Sequence, residues 1–138
     1  MIAGADVFLD TNILIYAATA QASEPDKWQV AHGLLTTQFG TSGQVLAEFY
    51  ANATRKPKPP LPPDDARRWV SLLGRKPFVT VDERLVLAGI DLAQRYRISY
   101  FDGAIVAAAE RLGAKTLYTE DLSHGQAYGP VTALNPFL

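Results

Sequence analysis

In the stretch Val7-Phe8-Leu9-Asp10-Thr11-Asn12-Ile13-Leu14, a short apolar run ends abruptly in three polar residues. A buried strand delivers side chains to the end of a sheet in this way. In open α/β sheets, ligands bind in the crevice beyond the carboxyl ends of the strands, so an acid at position 10 starts out in a functional position. The alternative is that Asp10 or Thr11 only caps the helix beginning near Ile13. Three later acids in comparable settings weigh on that choice: Glu48, Asp102 and Asp121.

The rest of the chain alternates short apolar strands with helices. Asp6 to Leu9 reads as the first strand and Ile13 to Ala18 as a short helix, followed by a loop over Gln21 to Pro25. From Asp26 to Phe39, Trp28, Val30, Ala31, Leu34 and Leu35 recur at helical spacing. His32 has no second histidine or acid one turn away and reads as a surface or rim residue. Gly40 to Gly43 suits a brief edge strand and the N-cap of a helix running from Gln44 to Arg55. On that helix Val45, Leu46, Phe49 and Ala53 face a core, and Glu48 lies at the boundary beside them.

Arg55 to Pro63 holds five prolines among nine residues, which fits an extended connector and excludes a helix or a central strand. Asp64 and Asp65 are expected to cap a helix to Leu73, stopped by Gly74, with Trp69, Val70 and Leu73 inward and Arg67 and Arg68 outward. Phe78 to Val81 reads as a strand. Asp82 then caps a helix whose apolar side is Leu85, Val86, Ala88, Leu92 and Ala93, and Gly89 on that side lets a neighbouring backbone approach. Asp102 opens a helix, Ala104 to Ala109, that is apolar nearly all round and therefore buried on most sides. Lys115 to Thr119 is a strand with Glu120 and Asp121 at its carboxyl end, and Val131 to Leu134 is the last strand. The pattern predicts one α/β domain over residues 1–138, with a mainly parallel central sheet of four to five short strands flanked by helices.

The four acids converge on one sheet edge in this arrangement. Capping explains Asp102 and a turn explains Asp121, but neither explains an apolar helix face that tolerates Glu48. Two carboxylates about 5 Å apart at an effective dielectric of ~20 repel by roughly 3 kcal/mol, so such a group calls for a neutralising partner. The chain has no cysteine, which leaves oxygen ligands and favours a hard cation, Mg²⁺ or Mn²⁺. Such an ion suits phosphodiester hydrolysis. A net charge of −1 gives no global attraction to nucleic acid, so a polyanion needs a local basic patch. Arg55, Lys56 and Lys58, with Arg67 or Arg68, offer one, unless they are simply a solvated face. Tyr16 or Tyr50 could stack an unpaired base or belong to the core.

Taken together, these motifs resemble the PIN-domain ribonucleases, specifically the VapC-type toxins of bacterial toxin–antitoxin pairs. The resemblance spans nearly the whole length. It rests on Phe8-Leu9-Asp10-Thr11-Asn12, Gln44-Val45-Leu46-Ala47-Glu48-Phe49-Tyr50, Ser99-Tyr100-Phe101-Asp102 with the alanine-rich helix, Leu117-Tyr118-Thr119-Glu120-Asp121-Leu122 with His124-Gly125, and Asn135-Pro136-Phe137. It implies a PIN-like fold in which Asp10, Glu48, Asp102 and Asp121 bind one or two divalent ions, supported by Thr11 or Asn12. It also implies cleavage of single-stranded or structured RNA, a homodimer, and inhibition by a cognate antitoxin. His124 either contacts phosphate or orders its loop through a backbone hydrogen bond. Glu120 either shares the metal site or faces solvent.

Phe101 and Gly103 stand where the family leads one to expect tryptophan and alanine, and the glycine should weaken the start of that helix. Ala18-Thr19-Ala20 lacks an acid often seen after the first helix. Two rival classes differ in their residues. A haloacid-dehalogenase-type phosphatase wants a second acid where Asn12 stands, and a receiver domain wants a lysine at the end of a late strand, whereas Lys115 begins one. A non-catalytic or phosphate-binding α/β module with an acidic metal pocket is the remaining alternative. The N-terminus lacks a basic leader and no apolar stretch approaches the ~18 residues of a membrane span, so a soluble cytoplasmic protein without a membrane segment is expected.

Overall fold

Val7–Leu9 form β1, and the strands added on either side make it an interior strand of a six-stranded sheet ordered β3-β2-β1-β4-β6-β5. The computed structural model describes residues 4–138. After β1 come α1 (Thr11–Thr19), α2 (Pro25–Leu34), β2 (Phe39–Ser42), α3 (Gly43–Ala53), α4 (Pro63–Leu73), β3 (Phe78–Val79), α5 (Glu83–Tyr96), α6 (Tyr100–Arg111), β4 (Thr116–Tyr118), β5 (Ala127–Tyr128) and β6 (Val131–Leu134). Every pairing is parallel except β5 with β6. The chain winds from β1 outward through β2 to β3, then crosses back to lay β4 on the other side of β1. The switch point therefore lies between β1 and β4, where a crevice opens at the carboxyl ends of the strands.

The core follows from the apolar strands and from α6, in which Gly103 through Ala109 are all buried. The helix packs on α5 and on β2, β4 and β6. Its crossing with α5 is unusually close: a Cβ on Gly103 would lie 2.4 Å from the Gly89 carbonyl oxygen, and one on Gly89 would lie 3.0 Å from the Ala104 Cα. Gly103 is thus a packing requirement that outweighs its low helix propensity.

Several boundaries differ from the sequence reading, each for a local reason. The helix expected to reach Phe39 ends at Leu34, because the hydroxyls of Thr36 and Thr37 donate to the carbonyls of Gly33 (2.8 Å) and Leu34 (2.6 Å). These bonds satisfy helix-end acceptors and free Phe39 to enter β2. β2 is an interior strand, not an edge, because β3 pairs outside it. Gly40 serves close packing there, since its Cβ would meet Leu112 Cδ1 at 2.7 Å and the Pro77 oxygen at 2.9 Å. Asp64 and Asp65 do not cap α4. Pro62 occupies the cap position with no side-chain bond, and the two acids sit in the first turn, where they complement the helix dipole.

The sheet has six strands where four to five were expected, because the two-residue β5 escaped notice. It forms a hairpin with β6 through Gly129-Pro130, Gly129 having φ +63°. Among the described residues, no helix is long and apolar enough to cross a membrane.

Candidate active site

β1 and β4 run parallel with Leu9 opposite Tyr118, so the residues that follow them emerge side by side at the switch point. The Asp10 N–H donates to the Tyr118 carbonyl at 3.1 Å, extending the ladder by one residue. Asp10 is 6% exposed. One of its carboxylate oxygens accepts from the Thr11 N–H at 2.7 Å and the other from the Thr119 hydroxyl at 2.8 Å. Thr119 in turn accepts from the Asp121 N–H at 3.0 Å, which ties the acid after β4 to the acid after β1. Asp10 is therefore the N-cap of α1 and a member of the acid group at once.

Glu48 reaches the same place from α3. Its carboxylate accepts from the Thr11 hydroxyl at 3.1 Å and from the Gln44 amide at 2.9 Å. The Gln44 amide also lies 3.4 Å from the Phe101 carbonyl, linking α3 to the start of α6. Asp102 stands in the first turn of α6, where Ser99 is the cap and its Oγ accepts from the Asp102 N–H at 3.1 Å. Asp102 is thus held by the cap without being the cap, and its carboxylate remains available.

The electrostatics match this gathering. Burial pushes the Asp10 carboxyl up to about 7; bonds from Thr119 and Thr11 oppose the rise, and the charges of Asp121 and Glu48 add to it. Burial also raises Asp102, opposed by Ser99 and reinforced by Asp121 and Glu48. Each of the two thus feels both Glu48 and Asp121. Among the described residues, none of the four acids is paired with a lysine or arginine. The donor set, four carboxylates without thiolate or compensating cation, fits a hard divalent ion. As the side chains stand, however, no three such groups among the described residues are positioned to hold one together.

The other predicted residues divide. Thr11 is buried and bonded to Glu48, while Asn12 is half-buried and lines a cleft along α1. Lys56 and Lys58 line that same cleft, whereas Arg55 is exposed and points its guanidinium at the Asn52 side chain, 3.4 Å away. Arg68 pairs with Asp65, and Arg67 lies beside Tyr50 in a separate depression between α3 and α4. Glu120 is drawn away from the acid group by Lys27, whose ammonium donates to it at 2.9 Å and to the Tyr16 hydroxyl at 3.2 Å. The His124 Nδ1 accepts from the Asn135 N–H at 2.9 Å, which orders the loop after β4. His32 is exposed and stacks on Trp28.

Three positioning residues escaped the sequence reading. Ser99-x-x-Asp102 carries a capping signature and Gln44 lies one helical turn before Glu48, so both had a local signal. Thr119 had none, because its partner is 109 positions away.

The family model described as PIN domain matches residues 7–129. No curated protein matches the chain. Among solved structures, the Mycobacterium tuberculosis toxin VapC20, described as cleaving the sarcin-ricin loop, superposes with a TM-score of 0.66 at 19% identity, covering 83% of this chain and 89% of that one. A toxin–antitoxin complex from Klebsiella pneumoniae gives 0.66 at 19% identity over 94% and 97% of the two chains. Rickettsia felis VapBC2, bound to a fragment of its promoter DNA, gives 0.61 at 17% identity over 92% and 96%. At these identities the likeness is one of fold.

Proposed function

The chain belongs to the PIN-domain family, and from that premise we propose that it is a divalent-metal-dependent endoribonuclease and the toxin of a toxin–antitoxin pair. The observation that supports the reading is that Asp10 and Asp102 each feel the charges of both Glu48 and Asp121, with none of the four acids paired with a lysine or arginine among the described residues. The single domain is taken to span residues 1–138.

Asp10, Glu48, Asp102 and Asp121 would hold one or two ions, Mg²⁺ or Mn²⁺. When bound, such an ion lowers the pKa of water and polarises a phosphate oxygen. The chain's own groups do the positioning. Thr119 and the Thr11 N–H fix the two oxygens of Asp10, and Thr11 with Gln44 fixes both oxygens of Glu48. Bonds made to the carboxylates in this way orient ligands and set their basicity. Asp10, with its carboxyl pushed up to about 7, can hold a proton near neutrality. Lys56 with Asn12, and Arg55 farther out, are assigned to RNA, while His124, whose Nδ1 accepts from the Asn135 N–H, orders its loop.

Further support concerns partners. Exposed Leu87 and Ile90, one helical turn apart on α5, offer an apolar patch to a second copy, and an apolar depression of about 230 Å³ between Leu35, Phe39, Trp69 and Leu72 could take an antitoxin helix. One structural neighbour is a toxin–antitoxin complex by description. The rival reading, a non-catalytic module with an acidic pocket, draws on the spacing of the carboxylates, no three of which stand together as a ligand set among the described residues.

One assay separates the two. Labelled RNA incubated with Mg²⁺ or Mn²⁺ should be cut, and EDTA should stop the cutting; RNA intact under both conditions favours the module. Expression alone should arrest growth and co-expression of an adjacent small reading frame should relieve it. Growth unaffected by soluble protein would remove the toxin role.

A further inference from the structure

A cleft of about 350 Å³ runs beside the acid group, and the four carboxylates take no part in it. One wall is a single stripe of α1, Asn12, Ile15, Tyr16 and Thr19, at the i, i+3, i+4, i+7 spacing of one helix face. The stripe begins two residues after Asp10 and extends about 10 Å along the helix at 1.5 Å per residue. The facing wall is Lys56 to Lys58, just past the end of α3, the helix that carries Glu48. The same two helices therefore build the cleft and bring two of the acids together.

Its chemistry is mixed in a specific way. Neither Lys56 nor Lys58 is in an ion pair among the described residues, and both are exposed at the rim. Asn12 and Ser23 add an amide and a hydroxyl, Tyr16 adds a ring, and Glu24, 4.0 Å from the Lys27 ammonium, adds one carboxylate to the lining. Tyr16 is fixed there: it packs edge-on to Phe137 at 5.2 Å, and the Lys27 ammonium lies 4.8 Å from its ring centre. Lys27 is neutralised by Glu120, which leaves Lys56 and Lys58 as the cations facing a ligand. A fixed aromatic, a few polar groups, and two free cations against one carboxylate already beside Lys27, in a volume of this size, suit one nucleotide and exclude a duplex.

We propose that this cleft is the subsite for one unpaired nucleotide adjoining the cleaved phosphate, with Lys56 and Lys58 on its phosphate and Asn12 and Tyr16 against its base. The proposal rests on the nuclease reading above and adds to it the cleft and the residues that seat the nucleotide.

The test uses the full chain in EDTA, with a fluorescent single-stranded RNA hexamer and the same sequence as a duplex, over a salt series. Lys56→Gln with Lys58→Gln should weaken single-strand binding about tenfold at low salt and flatten the salt dependence by roughly one to two charges. Ser23→Trp, at an exposed turn, fills the cleft without altering charge. It should weaken single-strand binding by a similar factor, leave the salt slope alone, and spare the duplex. Unchanged affinity in Ser23→Trp, or equal loss for single strand and duplex, overturns the subsite. Loss of affinity for a protein partner with RNA binding intact assigns the cleft to that partner and also overturns it. If the wild type cleaves RNA with Mn²⁺ while the cleft variants bind and cut as it does, the subsite falls and the nuclease reading stands. A wild type that neither binds nor cleaves RNA overturns both.

Discussion

Asp10→Asn should inactivate the protein and stabilise its metal-free form. In the folded state burial holds the Asp10 carboxyl at about 7, while in the unfolded chain it titrates near an ordinary ~3.9. The folded state therefore binds the proton more tightly. The associated stability is present below about pH 4 and is lost as pH rises to about 7, the wild type paying up to about 4 kcal/mol at pH 8 and about 1.5 kcal/mol at pH 5. Asparagine keeps the size, the N-cap role and an oxygen for the Thr11 N–H, but must turn an amide toward the Thr119 hydroxyl, which offsets part of the gain. A net gain of about 1–3 kcal/mol at pH 8 corresponds to roughly 3–10 °C in Tm for a domain of this size. Thermal melts in EDTA at pH 5 and pH 8 read it directly: the variant's advantage should widen with pH. Mn²⁺ should then raise the wild type more than the variant, since a ligand of the folded state stabilises in proportion to its affinity. A variant that melts lower in EDTA at pH 8 and gains equally from Mn²⁺ would show that Asp10 is only a cap.

Thr119→Val removes the donor to Asp10 while keeping the shape. The Asp10 midpoint should move up, and metal-free stability at pH 8 should fall by about 1–2 kcal/mol, readable from the pH dependence of Tm; an unmoved pH profile would contradict it. Gly103→Ala drives a methyl to 2.4 Å from the Gly89 oxygen and should cost about 1–3 kcal/mol in urea unfolding, against the gain that helix propensity alone predicts. Glu120→Gln breaks only the pair with Lys27, whose side chains are 21% and 33% exposed respectively, so it should cost at most about 1 kcal/mol and leave cleavage within about twofold. Asp121→Asn, one residue on, should abolish cleavage; equal effects from the two would misassign the acid.

The elements that positioned the four acids were legible because each carries a local signal. Asp10 ends an apolar run, Asp121 follows another, Glu48 interrupts an apolar helix face, and Asp102 precedes a helix too apolar to lie on a surface. What was not legible depended on partners distant in sequence. Gly103 read as a helix weakness until Gly89 lay against it, and Gly40 read as an edge until Leu112 and β3 covered it. Glu120 and Asp121 are indistinguishable as neighbours in sequence. Lys27, from α2, separates them by drawing one away. The basic run Arg55-Lys56-Pro57-Lys58 likewise divides only once the connector folds back on α1, placing Lys56 and Lys58 on the cleft and Arg55 beyond it.

The central claim is that four carboxylates from β1, α3, α6 and β4 form one cation site that performs RNA cleavage. Titration of Mn²⁺ into the metal-free chain, followed by calorimetry alongside RNA cleavage, tests it most directly in the wild type and in Asp10→Asn, Glu48→Gln, Asp102→Asn and Asp121→Asn. The account predicts saturable binding of one or two ions to the wild type, weakened in all four variants together with cleavage. Variants that bind Mn²⁺ as the wild type does, or cleavage that persists in EDTA, would contradict it.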